Sequence, residues 1–277
     1  MNATFYLIIS GLCFAIVHAC VKYVPDLPPH EIIFFRSIVS TLLSIAVLRI
    51  SGLSPWGHNK PMLILRGVVG CLALLLYFHT LQVMPLASAV TIQYLHPIFT
   101  VIIAGLFLRE KPTWMQWLFF LISFAGVLLV RGFDERVQFA DMAIGVISAL
   151  CSATAYNLIR ALRHEDHALV VVFYLPFISL LIISPYTLTH WVSPRSSDWI
   201  ILILIGTFTQ IAQYFVTRAY QSDRAANISN LNYLGIVYAL VIGLTFFGEH
   251  VEPLALAGMS IIAASALLST RFKQAAP

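Results

Sequence analysis

Two stretches of the chain decide how the fold is read: QYLHPIFTVIIAGLFLREKP at residues 93–112 and NYLGIVYALVIGLTFFGEHV at residues 232–251. Each opens on a polar residue followed by Tyr-Leu, runs through a continuous apolar stretch and closes on a glutamate. Tyr94, Leu95 and Glu110 stand 139 residues before Tyr233, Leu234 and Glu249. Matches held at one long separation are the signature of a duplicated unit. A weaker match, PLASA at 85–89 with DRAAN at 223–227, aligns once one residue is gapped.

The rest of the chain has the same apolar character. Of 277 residues, 60% are hydrophobic and only 10% charged, where an ordinary soluble domain is about 25% charged. Mean hydropathy is +0.88, so the solvent for most of this surface is lipid. A helix needs about 20 apolar residues to cross a bilayer. Such runs lie near residues 4–24, 31–50, 63–83, 88–108, 114–132, 141–161, 168–190, 198–219, 226–247 and 253–271. The runs are continuous rather than alternating, which excludes β-barrel spans. The first run lacks a basic leader and reads as a retained span rather than a signal peptide.

The expected fold is therefore an all-α integral membrane protein of ten helices, divided into repeats at 1–137 and 138–277 that form one unit. Five is odd, so the second repeat must be inverted relative to the first. The loops agree: the first unit ends on the basic REK (109–111), the second on GEHVE (248–252), which has no Lys or Arg. With the N-terminus inside, eleven Lys and Arg fall on the cytoplasmic side, Arg66 among them. Five, including Lys22 and Arg36, fall outside. This positive-inside bias places both termini in the cytoplasm and the protein in the plasma membrane. Inverted repeats enclosing a midplane site are an architecture of secondary transporters.

Several features resemble one family as a set: Lys22, Pro29 followed by Arg36, RGVVG at 66–70, MPLASA at 84–89, Pro97, Glu110 and GVLLVR at 126–131. In order and spacing the chain resembles the EamA family of the drug/metabolite transporter superfamily over nearly its whole length. The second half departs from that pattern, with Gly235 near the place of Pro97 and DRAA in place of PLA. The resemblance implies a secondary transporter for a small metabolite. The RGxxG and PLAxA wording is similar to a subgroup that includes S-adenosylmethionine carriers and animal organic-anion carriers.

Polar side chains within spans usually face a bundle interior and mark a pathway. The eighth span carries Thr207, Gln210, Gln213, Tyr214 and Thr217 at spacings of three and four, one stripe of a helix. The expected solute-binding set is His18, Lys22, Tyr77, His79, Tyr94, His96, Tyr156, Gln210, Gln213, Tyr214, Asn230 and Tyr233. Tyr77 and His79 point about 200° apart, so only one can face a shared cavity. Arg36, Arg160 and Arg218 are gate or charge candidates; the simplest reading of Arg36 is a cation snorkelling to the headgroups. Spans 5 and 10 carry little polarity and suit a packing or homodimer surface.

No Asp or Glu lies mid-span, so coupling through a buried carboxylate is not expected. The histidines are the mid-span groups able to carry a proton. Cations without mid-span anions favour a solute bearing a carboxylate or phosphate. The spread of basic residues lacks any nucleic-acid motif, and no cofactor or metal motif is present. HEDH at 164–167 has histidines three apart rather than the four of a zinc helix, and reads as a solvated loop. An intramembrane enzyme or a channel is the reading of another class. The chain has neither catalytic motif nor repeated selectivity element.

Overall fold

The computed structural model describes residues 3–107, 137–222, 234–249 and 253–273, with helical positions scattered between 114 and 129. Among these the helices are α1 (Ala3–Tyr23), α2 (Pro29–Ile50), α3 (Lys60–Val83), α4 (Leu86–Gln93), α5 (His96–Phe107), α6 (Phe139–Ala161), α7 (Ala168–Thr189), α8 (Asp198–Ser222), α9 (Leu234–Phe246) and α10 (Pro253–Lys273). Seven helical segments are long and apolar enough to cross a membrane, with α4 and α5 counted as one. The fifth expected span and the start of the ninth lie largely outside the described residues.

Local sequence explains where the helices start and stop. Pro29 opens α2, where its missing N–H costs no hydrogen bond. Asn59 caps α3 by accepting from Met62 N at 3.2 Å. The fourth span is broken: α4 turns at Tyr94 and Leu95, and α5 restarts at His96-Pro97. Proline disfavours helical geometry in the residue before it and has no N–H to donate to the preceding turn. Gly235 on α9 faces the break, and a Cβ there would overlap the Tyr94 hydroxyl.

The two halves of the chain interleave. Helix α1 packs on α8 and α3 on α6, while α2 contacts α7 and α8. Ser10 Oγ of α1 donates to Ala212 O of α8 at 2.9 Å, and Ser148 Oγ of α6 donates to Ala73 O of α3 at 2.8 Å. The donors are 138 residues apart (148 − 10) and the acceptors 139 (212 − 73), close to the 139-residue separation of the two sequence motifs. Leu42, Ile50, Ile200 and Ile203 point outward and exposed, an apolar surface that suits lipid rather than water.

Each end of the bundle is tied across the halves. Where α1 ends, Lys22 Nζ pairs with Glu249 Oε1 at 2.9 Å and donates to Met84 O at 2.6 Å. Glu249 also accepts from Leu86 N at 2.9 Å, capping α4. At the opposite end Asp166 accepts from His58 N at 2.6 Å and Asn59 N at 3.1 Å. The HEDH segment is largely the solvated loop expected from sequence, with His164, Glu165 and His167 exposed; Asp166 is the exception. Asp166 is buried because it satisfies the backbone of the α2–α3 connection. His167 caps α7 by accepting from Leu169 N.

Candidate functional site: a cationic cavity between the halves

A cavity of about 100 Å³ lies inside the bundle, walled by residues from α1, α2, α3 and the α4–α5 break on one side and from α6, α7 and α8 on the other. Seven of the fifteen residues singled out from sequence line it: His18, Arg36, Tyr77, Tyr94, His96, Tyr156 and Gln213. His18 and Tyr77 meet edge to face with centroids 5.1 Å apart, and Tyr77 Oη lies 3.4 Å from His18 Nδ1. His96 packs on Tyr156 at 5.0 Å, and Tyr156 stacks on Tyr220 at 4.9 Å. The helix break brings Tyr94 and His96 to the same wall.

The others sit elsewhere. Lys22 shares a helix face with His18 but is held by Glu249 at the bundle end. His79, rotated away from Tyr77, pairs with Asp141 at 3.2 Å. Gln210 donates to Ser44 Oγ of α2 at 2.7 Å, an interhelical bond rather than a cavity contact. Tyr214 packs against Phe215. Arg160 and Arg218 are half-buried on α6 and α8, away from the cavity lining. Asn230 and Tyr233 lie outside the described residues. On α8 the cavity-facing pair is Thr209 and Gln213, one turn apart.

The arginines are where sequence reading and structure part most. Arg36 does not snorkel: it is 1% exposed and lines the cavity. Arg66, assigned from sequence to the cytoplasmic loops, is 2% exposed, and its Nη2 donates to Gln213 Oε1 at 3.1 Å. Helix α3 starts at Lys60, so Arg66 lies six residues inside it. Its motif explains the pose. A Cβ on Gly70 would come 2.7 Å from Arg66 Nη1 and 2.6 Å from Leu175 Cδ1, so glycine leaves the groove in which the guanidinium lies. Gly70→Ala is expected to displace that group and weaken solute binding about tenfold or more, with an overpacking cost of about 1–3 kcal/mol. Binding and thermal melts on the purified variant check both.

Gln93 and Ser152, polar residues of spans 4 and 6 outside the expected binding set, also line the cavity, as does Thr209, which sequence reading missed; Gln93 Nε2 donates to Ser152 Oγ at 2.7 Å across the halves. The cavity's polar groups are incompletely satisfied. Arg36 Nε and Nη1, Arg66 Nε, Gln93 Oε1, His96 Nδ1 and Thr209 Oγ1 are buried without a hydrogen-bond partner among the described residues. All five residues line this one cavity. Buried polar groups in native proteins are nearly always paired, so a cluster of unpaired ones marks a place built for a ligand. Among the described residues no acidic side chain stands in the lining.

An apolar helical bundle around a cationic cavity, with a broken helix at its wall, defines a membrane carrier for small solutes. The EamA-like transporter family model matches residues 1–132 and 140–271, and the chain belongs to that family. It is a multi-pass membrane transporter, not an enzyme. It is 30% identical over 270 residues to a pseudopaline exporter of Pseudomonas aeruginosa, covering 96% of this chain and 95% of that one. It is also 30% identical to human solute carrier family 35 member G1, covering 88% and 72%. Identity to an S-adenosylmethionine uptake transporter of Rickettsia prowazekii is 19%, covering 95% and 92%. A solved crystal structure superposes with a TM-score of 0.73 over 98% of both chains at 17% identity, which shares the fold alone.

Proposed function

We propose that this protein is a secondary transporter that moves a small carboxylate-bearing metabolite, an amino acid or a relative of one, by alternating access. The observation that carries this reading is the pair of buried arginines facing one cavity with no acidic residue among the described residues of its lining. A guanidinium stays charged in any protein environment and pairs with carboxylates through parallel N–H donors. Carriers of S-adenosylmethionine or other nucleoside-like compounds are the alternative, suggested by the ring-lined wall. A sulfonium centre would, however, meet two guanidinium groups there.

Two inverted repeats are supported by the paired Ser10 and Ser148 bonds and by the helix contacts. Exchanging each helix for the one five spans later turns the α1–α8 contact into α6–α3. With Arg36 and Arg66 taken out of the loop tally, ten basic residues remain on the expected cytoplasmic side against four. Both termini are accordingly assigned to the cytoplasm and the protein to the plasma membrane.

Counterflow in liposomes tests the reading. Preloaded unlabelled amino or carboxylic acids are expected to accelerate uptake of labelled solute and to saturate. Transport of neutral sugars or hydrophobic cations alone, with no carboxylate compound moved, would overturn it.

A further inference from the structure

We infer that the transported solute carries two carboxylates, one for each cavity arginine; this rests on the carboxylate-carrier reading above and narrows it. Arg36 on α2 and Arg66 on α3 both line the cavity, and both are almost wholly buried. Three of their N–H-bearing nitrogens, Arg36 Nε and Nη1 and Arg66 Nε, are unpartnered among the described residues. Among the described residues, the one side-chain hydrogen bond either makes is from Arg66 to the neutral amide oxygen of Gln213.

The described acidic side chains are engaged elsewhere. Asp26 pairs with Arg195, Asp141 with His79 and Glu249 with Lys22. Glu31 accepts from Val192 N, and Asp198 from Arg195 N. Glu165 accepts from Asn59 Nδ2, and Asp166 accepts from the backbone of His58 and Asn59. None of the seven stands in the cavity lining.

Charge arithmetic then decides the solute class. A single carboxylate balances one guanidinium and leaves a second cation buried and unpaired, the arrangement that costs several kcal/mol in a low-dielectric interior. A simple zwitterion does no better. Its ammonium adds a third cation, and the free acceptors on the wall are the neutral Gln93 Oε1, Thr209 Oγ1 and, in one tautomer, His96 Nδ1. Two carboxylates balance both arginines and supply acceptors for all three free donors. An acidic amino acid would pair both arginines but bring its ammonium in as a third, unbalanced cation, so a plain dicarboxylate fits best.

The test compares dicarboxylates with their monoamides, which keep length and shape but lose one charge. Binding to the purified full-length protein in detergent is measured for succinate, glutarate and adipate and for each monoamide. At one or more chain lengths the dicarboxylate is expected to bind at least tenfold tighter than its monoamide. Arg36→Gln and Arg66→Gln are each expected to bring that ratio close to one. Arg36→Lys, which keeps the charge without the planar fork, should bind more weakly yet retain the preference. A wild-type ratio near one at every length overturns the inference, as does a preference that survives both glutamine variants. Tight binding of phosphate monoesters with no binding of any dicarboxylate also overturns it. If monoamides or neutral amino acids bind as well as dicarboxylates, the two-carboxylate inference falls and the carboxylate carrier stands. If no carboxylate compound binds or is moved in liposomes, both fall.

Discussion

Arg36→Met is expected to abolish counterflow and, in the same protein, to raise the melting temperature. Truncating one partner of a buried hydrogen-bonded charge pair typically costs about 2–5 kcal/mol, so solute affinity should fall about 30- to 4000-fold. Stability should move the other way. Arg36 is 1% exposed, and two of its guanidinium nitrogens are unpartnered among the described residues. Without solute, no acidic side chain among the described residues that line the cavity offsets the desolvation of this buried charge. Replacing buried ionic groups by apolar ones of similar volume is often neutral or stabilising by about 1–4 kcal/mol. For a chain of this size each kcal/mol corresponds to about 2–4 °C. Melts of wild type and variant without solute check this, and a clear fall in melting temperature would show that Arg36 has a structural partner. Solute should narrow the gap, because it stabilises only the protein that binds it.

Glu249→Ala is expected to have the largest destabilising effect. The carboxylate does two things at once. It pairs with Lys22 Nζ at 2.9 Å and accepts from Leu86 N at the start of α4, which has no side-chain cap of its own. Both groups are shielded, at 15% and 8% side-chain exposure. Its removal leaves a half-buried ammonium with the Met84 carbonyl alone among its described polar partners and a buried helix-end N–H unpaired, at a cost of about 3–5 kcal/mol. Glu249→Gln, which can still cap Leu86 N, should lose less. The double variant Lys22→Met with Glu249→Met should recover much of the loss, since no charge is left unpaired. A double-mutant cycle read by thermal melts isolates the coupling; additive losses would mean that the pair does not act as a unit. Because the pair joins α1 to the segment after α9, breaking it should also loosen that end of the bundle. Faster labelling of Phe247→Cys by a thiol reagent in the Glu249→Ala background would report this.

The register of the repeat shows how much of the site was legible in sequence. Aligning Tyr77-Phe78 with Tyr214-Phe215, a separation of 137, places Tyr214 in the cavity. Under the proposed inverted repeat, the serine bonds favour a separation of 138–139 instead. At 139, Leu74 corresponds to Gln213, and both line the cavity. Two residues of slip rotate a helix by about 200°, which is why Tyr77 faces the cavity and Tyr214 does not. Gln210 and Gln213 belong to one polar stripe in sequence. Their three-residue offset is about 60° of rotation, enough to give one to Ser44 and the other to Arg66.

Sequence by itself determined that this chain is a helical membrane protein of the EamA type. Apolar run length, low charge and the fixed separation of two motifs depend on composition and order, and a bilayer leaves few ways to satisfy a backbone in lipid. It also marked His18, Tyr77, Tyr94, His96 and Tyr156, because polar rings inside apolar runs stand out. Only the tertiary structure decided the charge of the cavity. Arg36 and Arg66 lie near helix starts, where a linear sequence cannot separate a cation that reaches the headgroups from one turned inward. That choice depends on which face of each helix meets its neighbours, and on Gly70 clearing the groove that Arg66 occupies.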